Sequence, residues 1–235
     1  MDLNSYSRQT AALNRRTAAN ILTLLARVSV PITPENIRLL VAALFPTVLR
    51  SRQAAQELAA QFFQTAGEAS RKVVKPLKAY TEDDLYRGLT DALRASSGRP
   101  VSDPVNQRKI VGTITKHVED GGRREIMALA LDKNTEAVGW ARYDPRPPSC
   151  AFCLTLISRG PVYNTAESAG GNDQWHPHCT CKVVPVFDRQ SWPGRNQYLS
   201  AQRVYAAATK KHGVSINAVR RYLDEQDNDS ARRAA

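Results

Sequence analysis

Apolar residues recur at intervals of three and four positions through most of residues 1–133. This is the period of an amphipathic α-helix that buries one face. The clearest stripe consists of Ile37, Leu40, Val41, Leu44 and Val48. Further stripes with this period lie at 13–28, at 85–93 and at 110–118. The pattern therefore predicts a helical N-terminal region.

Several polar residues stand where these helices are expected to begin. A hydroxyl or carboxylate directly before an apolar stripe can cap the first turn, and proline or acidic residues favour the positions that follow. The candidate N-caps are Thr33, Thr81, Asp103 and Ser215. Two features predict interruptions: Pro46 is expected to kink or interrupt the second helix, and the pair Gly121-Gly122 is expected to break the helix that starts at Asp103.

The pattern changes near residue 134. Short segments rich in valine and aromatic residues at 138–143, 159–163 and 181–187 predict strands, and helical periods return at 198–212 and 215–226. We therefore predict an α+β fold, mostly α, with three parts. These are a helical region at 1–133, a small cysteine-containing module at 134–188, and C-terminal helices with a basic tail at 189–235.

Charge suggests the class of partner. The 235 residues carry a formal net charge of +11, and 42% of them are hydrophobic, enough for a packed core. The basic residues are scattered as pairs along the predicted helices, which is typical of solvated faces; Arg50 with Arg52 and Arg123 with Arg124 are two such pairs. The alternative is a diffuse surface that binds the phosphates of DNA without reading sequence. Neither a long apolar run nor a secretory leader is evident, so we expect no membrane span and a protein made in a reducing cytosol.

The four cysteines of the chain lie close together in the sequence. Cys150 and Cys153 form a C-x-x-C pair, and Cys179 and Cys181 follow His176 in the string His-Pro-His-Cys-Thr-Cys. Two groups of soft ligands separated by a loop are typical of a structural zinc site. A disulfide pair, a redox-active C-x-x-C and buried thiols without a ligand are the alternatives. A reducing cytosol favours the metal over disulfides.

Six side chains compete for four tetrahedral positions. Cys150 and Cys153 can converge from one tight turn, and His176 and Cys179 are spaced to face the same ion. Cys181 competes with His176, because alternate residues of an extended segment share a face. His178 is the weakest candidate. We expect one Zn²⁺ bound by four of the residues Cys150, Cys153, His176, Cys179 and Cys181, with no catalytic residue among them.

These cysteine motifs and their flanking residues resemble a known family. The strings GWAR at 139–142, CAFC at 150–153, SRGPVY at 158–163 and HPHCTCKVVPV at 176–186 are similar to the phage Mu F-like minor head proteins of tailed bacteriophages. The similarity is to the branch common in phages of actinobacteria, and it covers residues 135–188.

The resemblance implies a non-enzymatic virion protein. Such proteins take part in head morphogenesis, lie inside the capsid near the portal vertex and contact the portal protein or the major capsid protein. Packaged double-stranded DNA is a further expected partner, bound by non-specific electrostatics.

Two other readings remain. A zinc-dependent nuclease would need an open coordination position and a general base. A host zinc-module DNA-binding protein would need a recognition helix after the second cysteine pair, where the pattern predicts a strand.

Overall fold

The computed structural model describes residues 1–67, 79–163, 175 and 179–234, with side chains up to residue 228. Seven α-helices, one short 3₁₀ helix and two strands lie in these residues. In chain order they are α1 (Leu3–Leu25), α2 (Pro34–Gly67), α3 (Glu82–Leu93), the 3₁₀ helix (Arg94–Ser96), α4 (Pro104–Leu131), β1 (Gly139–Tyr143), α5 (Ala151–Ile157), β2 (Lys182–Val186), α6 (Arg195–His212) and α7 (Ile216–Ala234). The predicted mostly helical α+β class is confirmed.

The predicted helix starts are confirmed by the capping contacts. The Thr81 hydroxyl accepts from the main-chain N–H of Asp84, and the Asp84 carboxylate accepts from the main-chain N–H of Thr81, which forms a capping box at α3. Asp103 caps α4 by accepting from the N–H of Val105 at 2.7 Å. Thr33 and Ser215 cap α2 and α7 in the same way. Local sequence chemistry is sufficient to place these four helix starts.

The prediction that Gly121-Gly122 breaks a helix is wrong, because α4 runs through both glycines. Their lack of a side chain serves close packing instead. A Cβ at Gly121 would lie 2.8 Å from the carbonyl oxygen of Arg52, and one at Gly122 would lie 2.9 Å from that of Ala55. The two glycines therefore let α4 approach the backbone of α2 more closely than any other residue would allow.

Pro46 likewise does not interrupt α2, which extends from Pro34 to Gly67. The apolar stripe on both sides of it is buried, with Leu44 and Val48 fully inaccessible. Burial of that stripe against the other helices outweighs the one main-chain hydrogen bond that a proline removes.

The two strands form an antiparallel pair in which Arg142 lies opposite Val183 and Tyr143 opposite Lys182. The prediction of a strand at 159–163 is wrong. Only a single bridge between Trp140 and Tyr163 forms there, since the chain turns at Gly160, whose φ of +66° suits glycine. The short helix α5 was not predicted from the sequence; it has two turns and begins directly after Cys150.

The sheet packs on the helical region through one shared core. Its buried members come from α1, α2, α4, α5, both strands and residues 179–181, which we call the cysteine segment. They include Tyr6, Phe62, Phe63, Ile126, Trp140, Val183 and Val184. A second core lies within α1 to α4, and a small third one joins α5 to α6 and α7. The boundaries between the three predicted parts of the chain, at 133/134 and 188/189, remain predictions. Among the described helices, none is both long and apolar enough to cross a membrane.

Candidate metal centre

Three of the four cysteines meet in the interior. Cys153 lies in the first turn of α5, and Cys179 and Cys181 directly precede β2. Their sulfur atoms all lie within 4.8 Å of one another, and the Sγ atoms of Cys153 and Cys179 are 3.9 Å apart. The three residues are 3%, 6% and 1% exposed. None of the four cysteines, all of which are described, is in a disulfide.

This geometry fits a bound metal ion. Sulfurs at the usual zinc–sulfur bond length of about 2.3 Å in a tetrahedral site lie about 3.8 Å apart. The Cys153–Cys179 distance is already close to that value, so the site needs little rearrangement to accept an ion. The three cysteines can therefore hold a metal ion.

Cys150 occupies a different position from the other three. It is the N-cap of α5, is exposed, and its sulfur accepts a hydrogen bond from the main-chain N–H of Cys153 at 3.4 Å. It does not belong to the group of sulfurs within 4.8 Å of one another. The structure thus gives Cys150 a capping contact at α5, while the sulfur of Cys153 faces those of Cys179 and Cys181.

Cys181 is part of the cluster, as expected if alternate residues of an extended segment share a face. His176 and His178 lie outside the described residues, so the choice of a fourth ligand remains a prediction. The full set of Cys150, Cys153, His176, Cys179 and Cys181 also remains a prediction.

Hydrogen bonding among the three sulfurs and burial shift the pKa values of all three cysteines from their ordinary value. Hydrogen bonds from Cys153 and Cys181 hold the pKa of Cys179 well below its ordinary value, and the nearby Arg123 acts in the same direction. The hydrogen bond to Cys179 and burial raise the pKa of Cys153. Hydrogen bonding to Cys153 and Cys179, and then burial, raises the pKa of Cys181. A divalent cation would displace the remaining thiol protons.

Arg123 of α4 holds the cysteine segment through hydrogen bonds to its backbone. It is 1% exposed, and its Nη2 and Nε donate to the main-chain carbonyls of Cys179 at 2.8 Å and Cys181 at 3.0 Å. Its Nη1 donates to Asp120 at 2.8 Å. The sequence pattern had placed Arg123 in an exposed basic pair, and that interpretation is wrong. Its one sequence signal is its place one helical turn after Asp120.

Arg142 of β1 is the second arginine at the centre, and it too is 1% exposed. Its guanidinium carbon lies 3.7 Å from the ring centroid of Trp175, and that of Arg123 lies 4.1 Å from the same ring. Among the residues that the structure describes, none accepts a hydrogen bond from the three guanidinium nitrogens of Arg142. Burial lowers the pKa of Arg142, against the opposing effects of Tyr163 and the three cysteines.

A buried ion pair joins the strand to the helices beside this centre. The Lys182 ammonium contacts both carboxylate oxygens of Glu119 at 2.5 and 2.6 Å, and both side chains are at most 6% exposed. Asn14 of α1 donates to the same carboxylate. Sequence reasoning missed this pair, because the partners are 63 positions apart.

His117 lies away from the metal centre, at a polar cavity of about 660 Å³ between α2, α3 and α4. Its ring packs on Tyr80, with the ring centroids 5.5 Å apart, and its carbonyl accepts from Arg52. Burial lowers the pKa of His117 to about 4. The residue is therefore neutral at physiological pH. Arg52 is itself only 5% exposed, so its expected place on a basic surface is also wrong.

Comparisons with known proteins place the chain in a phage family. The Gene 15 protein of Mycobacterium phage D29 is 29% identical over 209 residues, covering 73% of this chain and 74% of that protein. The Gene 15 protein of Mycobacterium phage L5 is 28% identical over 246 residues, covering 78% and 82%. No solved structure matches. The model of the VG15 protein family matches residues 1–208, and the chain therefore belongs to that family.

Proposed function

We propose that this protein is a non-enzymatic structural component of a phage head, of the Mu F-like minor head type. Membership of the VG15 family and relatives in two mycobacteriophages support a phage protein. The strings CAFC at 150–153 and HPHCTCKVVPV at 176–186 support the finer assignment. The proposed location is inside the head near the portal vertex, in contact with the portal protein or the major capsid protein.

The observation that carries the proposal is the buried cluster of Cys153, Cys179 and Cys181. Thiolate-rich sites that are closed to water generally hold structural zinc, whereas catalytic zinc keeps an open position. The proposed role of the ion is to hold the start of α5 and the segment before β2 in one rigid unit. A two-stranded sheet has little stability by itself, so a metal cross-link of this kind is expected to contribute to it.

A further proposed partner is packaged double-stranded DNA. Helix α1 carries Arg8, Arg15 and Arg16 on its exposed side and has no acidic residue. The hydroxyls of Thr17 and Ser51 are 2.9 Å apart, so Arg16 and the exposed Arg50 lie next to this contact on neighbouring helices. Exposed arginines without acidic neighbours bind phosphates through counterion release, independent of sequence.

Particles of the phage that encodes this chain provide the test. We expect mass spectrometry of purified particles to detect the chain at a low and constant copy number. Reconstruction without imposed symmetry should locate it on the inner side of the portal vertex. Its absence from mature particles and from their precursors would contradict the proposal.

A further inference from the structure

Arg142 is a buried positive charge without a hydrogen-bond acceptor among the described residues. Its guanidinium is 1% exposed, and no described residue accepts a hydrogen bond from Nε, Nη1 or Nη2. Removing a charged group from water without a partner is strongly unfavourable. A buried donor group without a partner in a folded protein calls for an unseen water or ion. A negatively charged group beside Arg142 would remove the cost.

The other buried charges near the centre already have partners. Arg123 pairs with Asp120 at 2.8 Å, and Lys182 pairs with Glu119 at 2.5 Å. Lys116, which also contacts Asp120, is 17% exposed and so reaches solvent. In the described part of the chain, Arg142 thus has no carboxylate partner, and the buried Asp144 accepts instead from the Thr180 hydroxyl and from the main-chain N–H of Arg146.

The three cysteines supply a matching negative charge once they bind a metal ion. Arg142 packs on the ring of Trp175, as does Arg123, which holds the carbonyls of Cys179 and Cys181, and all three cysteines act electrostatically on Arg142. A divalent ion bound by three thiolates and one neutral ligand carries a single negative charge. With four thiolates it would carry two, one more than Arg142 can offset.

We propose that Arg142 is the charge-compensating partner of a divalent metal centre formed by Cys153, Cys179 and Cys181, and that the fourth ligand of this centre is neutral. This inference rests on the metal site of the proposed function. It assigns Cys150, exposed at the N-cap of α5, to helix capping and leaves the fourth position to a neutral side chain such as an imidazole. Arg142 is a positioning residue that offsets the charge of the thiolates without binding the ion.

The role of Arg142 predicts opposite effects in the absence and presence of zinc. Arg142→Met removes an unpaired buried charge and keeps a similar side-chain length. We therefore expect the metal-free variant to be at least as stable as the metal-free wild type. With zinc, the variant should gain less thermal stability than the wild type, and its zinc dissociation constant should rise roughly tenfold to a hundredfold. Arg142→Lys should fall between the two.

Arg146→Met is the matched control, because Arg146 is exposed on the turn that follows β1. It removes the same charge and should leave zinc affinity unchanged. Equal zinc affinity in Arg142→Met and the wild type would overturn the inference and leave the metal site intact. Failure of the wild type to bind zinc would instead overturn the proposed site itself.

The number of thiolates is tested separately with Co²⁺, whose sulfur-to-metal charge-transfer absorbance grows with each cobalt–thiolate bond. The Cys150→Ser protein should keep the full absorbance of the wild type, whereas Cys181→Ser should lose about a third of it, or all of it if the ion is released. This measurement does not depend on how Arg142 variants fold. A loss of about a quarter in Cys150→Ser would indicate four thiolates and contradict a neutral fourth ligand.

Discussion

The Nη2 atom of Arg123 donates a hydrogen bond to the main-chain carbonyl of Cys179 at 2.8 Å, across 56 positions of sequence. The arginine belongs to the long helix α4, and the cysteine lies three residues before the start of β2. This contact fixes the backbone that presents the metal-binding sulfurs to a rigid helix. The helical region thus supports the proposed metal centre as well as packing against it.

Replacing Arg123 by lysine should weaken both folding and metal binding. Lysine cannot reproduce donation to Asp120 and to two carbonyls at once, because it lacks the planar fork of the guanidinium. We expect a loss of roughly 3 kcal/mol in the free energy of unfolding, as for other broken buried ion networks. Chemical denaturation of the zinc-loaded protein measures it.

Arg108→Lys on the same helix provides the control for that experiment, because Arg108 is exposed. It should change stability by less than about 0.5 kcal/mol, as is usual for surface substitutions. Comparable losses in both variants would show that Arg123 has no special structural role.

Replacement of Gly122 by alanine should destabilise the protein although alanine favours helices. The gain in helix propensity is about 1 kcal/mol. Against it, the new Cβ would lie 2.9 Å from the carbonyl oxygen of Ala55, a main-chain atom, and 3.1 Å from Oη of the buried Tyr6. We expect a net loss of roughly 1–3 kcal/mol, typical of overpacking. Thermal unfolding measures the sign, and a rise in melting temperature would contradict the close approach of α2 and α4.

His117 should make the protein less stable in mild acid. Its pKa in the folded protein is about 4, below the ordinary value of 6.5, because burial disfavours the charged ring. Between these two values the His117 ring is protonated in the unfolded chain but not in the folded protein. The stability of the fold therefore falls as the pH drops from about 6.5 towards 4. The loss should approach about 3 kcal/mol at the lower end.

The variant His117→Gln isolates this contribution from other titrating groups near the cavity, such as Asp120. The wild type should lose more stability than the variant between pH 7 and pH 4.5, as measured by urea denaturation. Parallel curves for the two proteins would mean that His117 is not buried in neutral form.

Binding to double-stranded DNA should depend strongly on salt and on the exposed arginines of α1 and α2. Each phosphate contact contributes about 0.9 to the slope of log affinity against log salt concentration. Replacing Arg15, Arg16 and Arg50 together by glutamine should lower that slope by about 3. A control with the exposed residues Arg94, Arg99 and Arg108 replaced removes the same charge elsewhere. Filter binding that does not change with salt would contradict a DNA contact.

Local patterns predicted the helices well and the centre only in part. The N-caps Thr81 and Asp103 act within one turn, so sequence alone identifies them. The role of Gly121 and Gly122 in α4 was predicted wrongly, because it depends on close packing against the backbone of another helix, α2. Burial of Arg123 and Arg142 is likewise decided by distant residues, and neither has a local pattern that distinguishes it from a surface arginine. The C-x-x-C spacing also does not reveal that Cys150 becomes the N-cap of the short helix α5.

Zinc content tests the central claim most directly. The purified chain, expressed in zinc-supplemented medium and freed of loose metal, should contain one zinc ion per molecule by elemental analysis. Cys153→Ser and Cys179→Ser should each contain little or none and should melt at a lower temperature than the zinc-loaded wild type. A wild-type protein that contains no metal, and whose melting temperature is unchanged by zinc or by a chelator, would contradict the account.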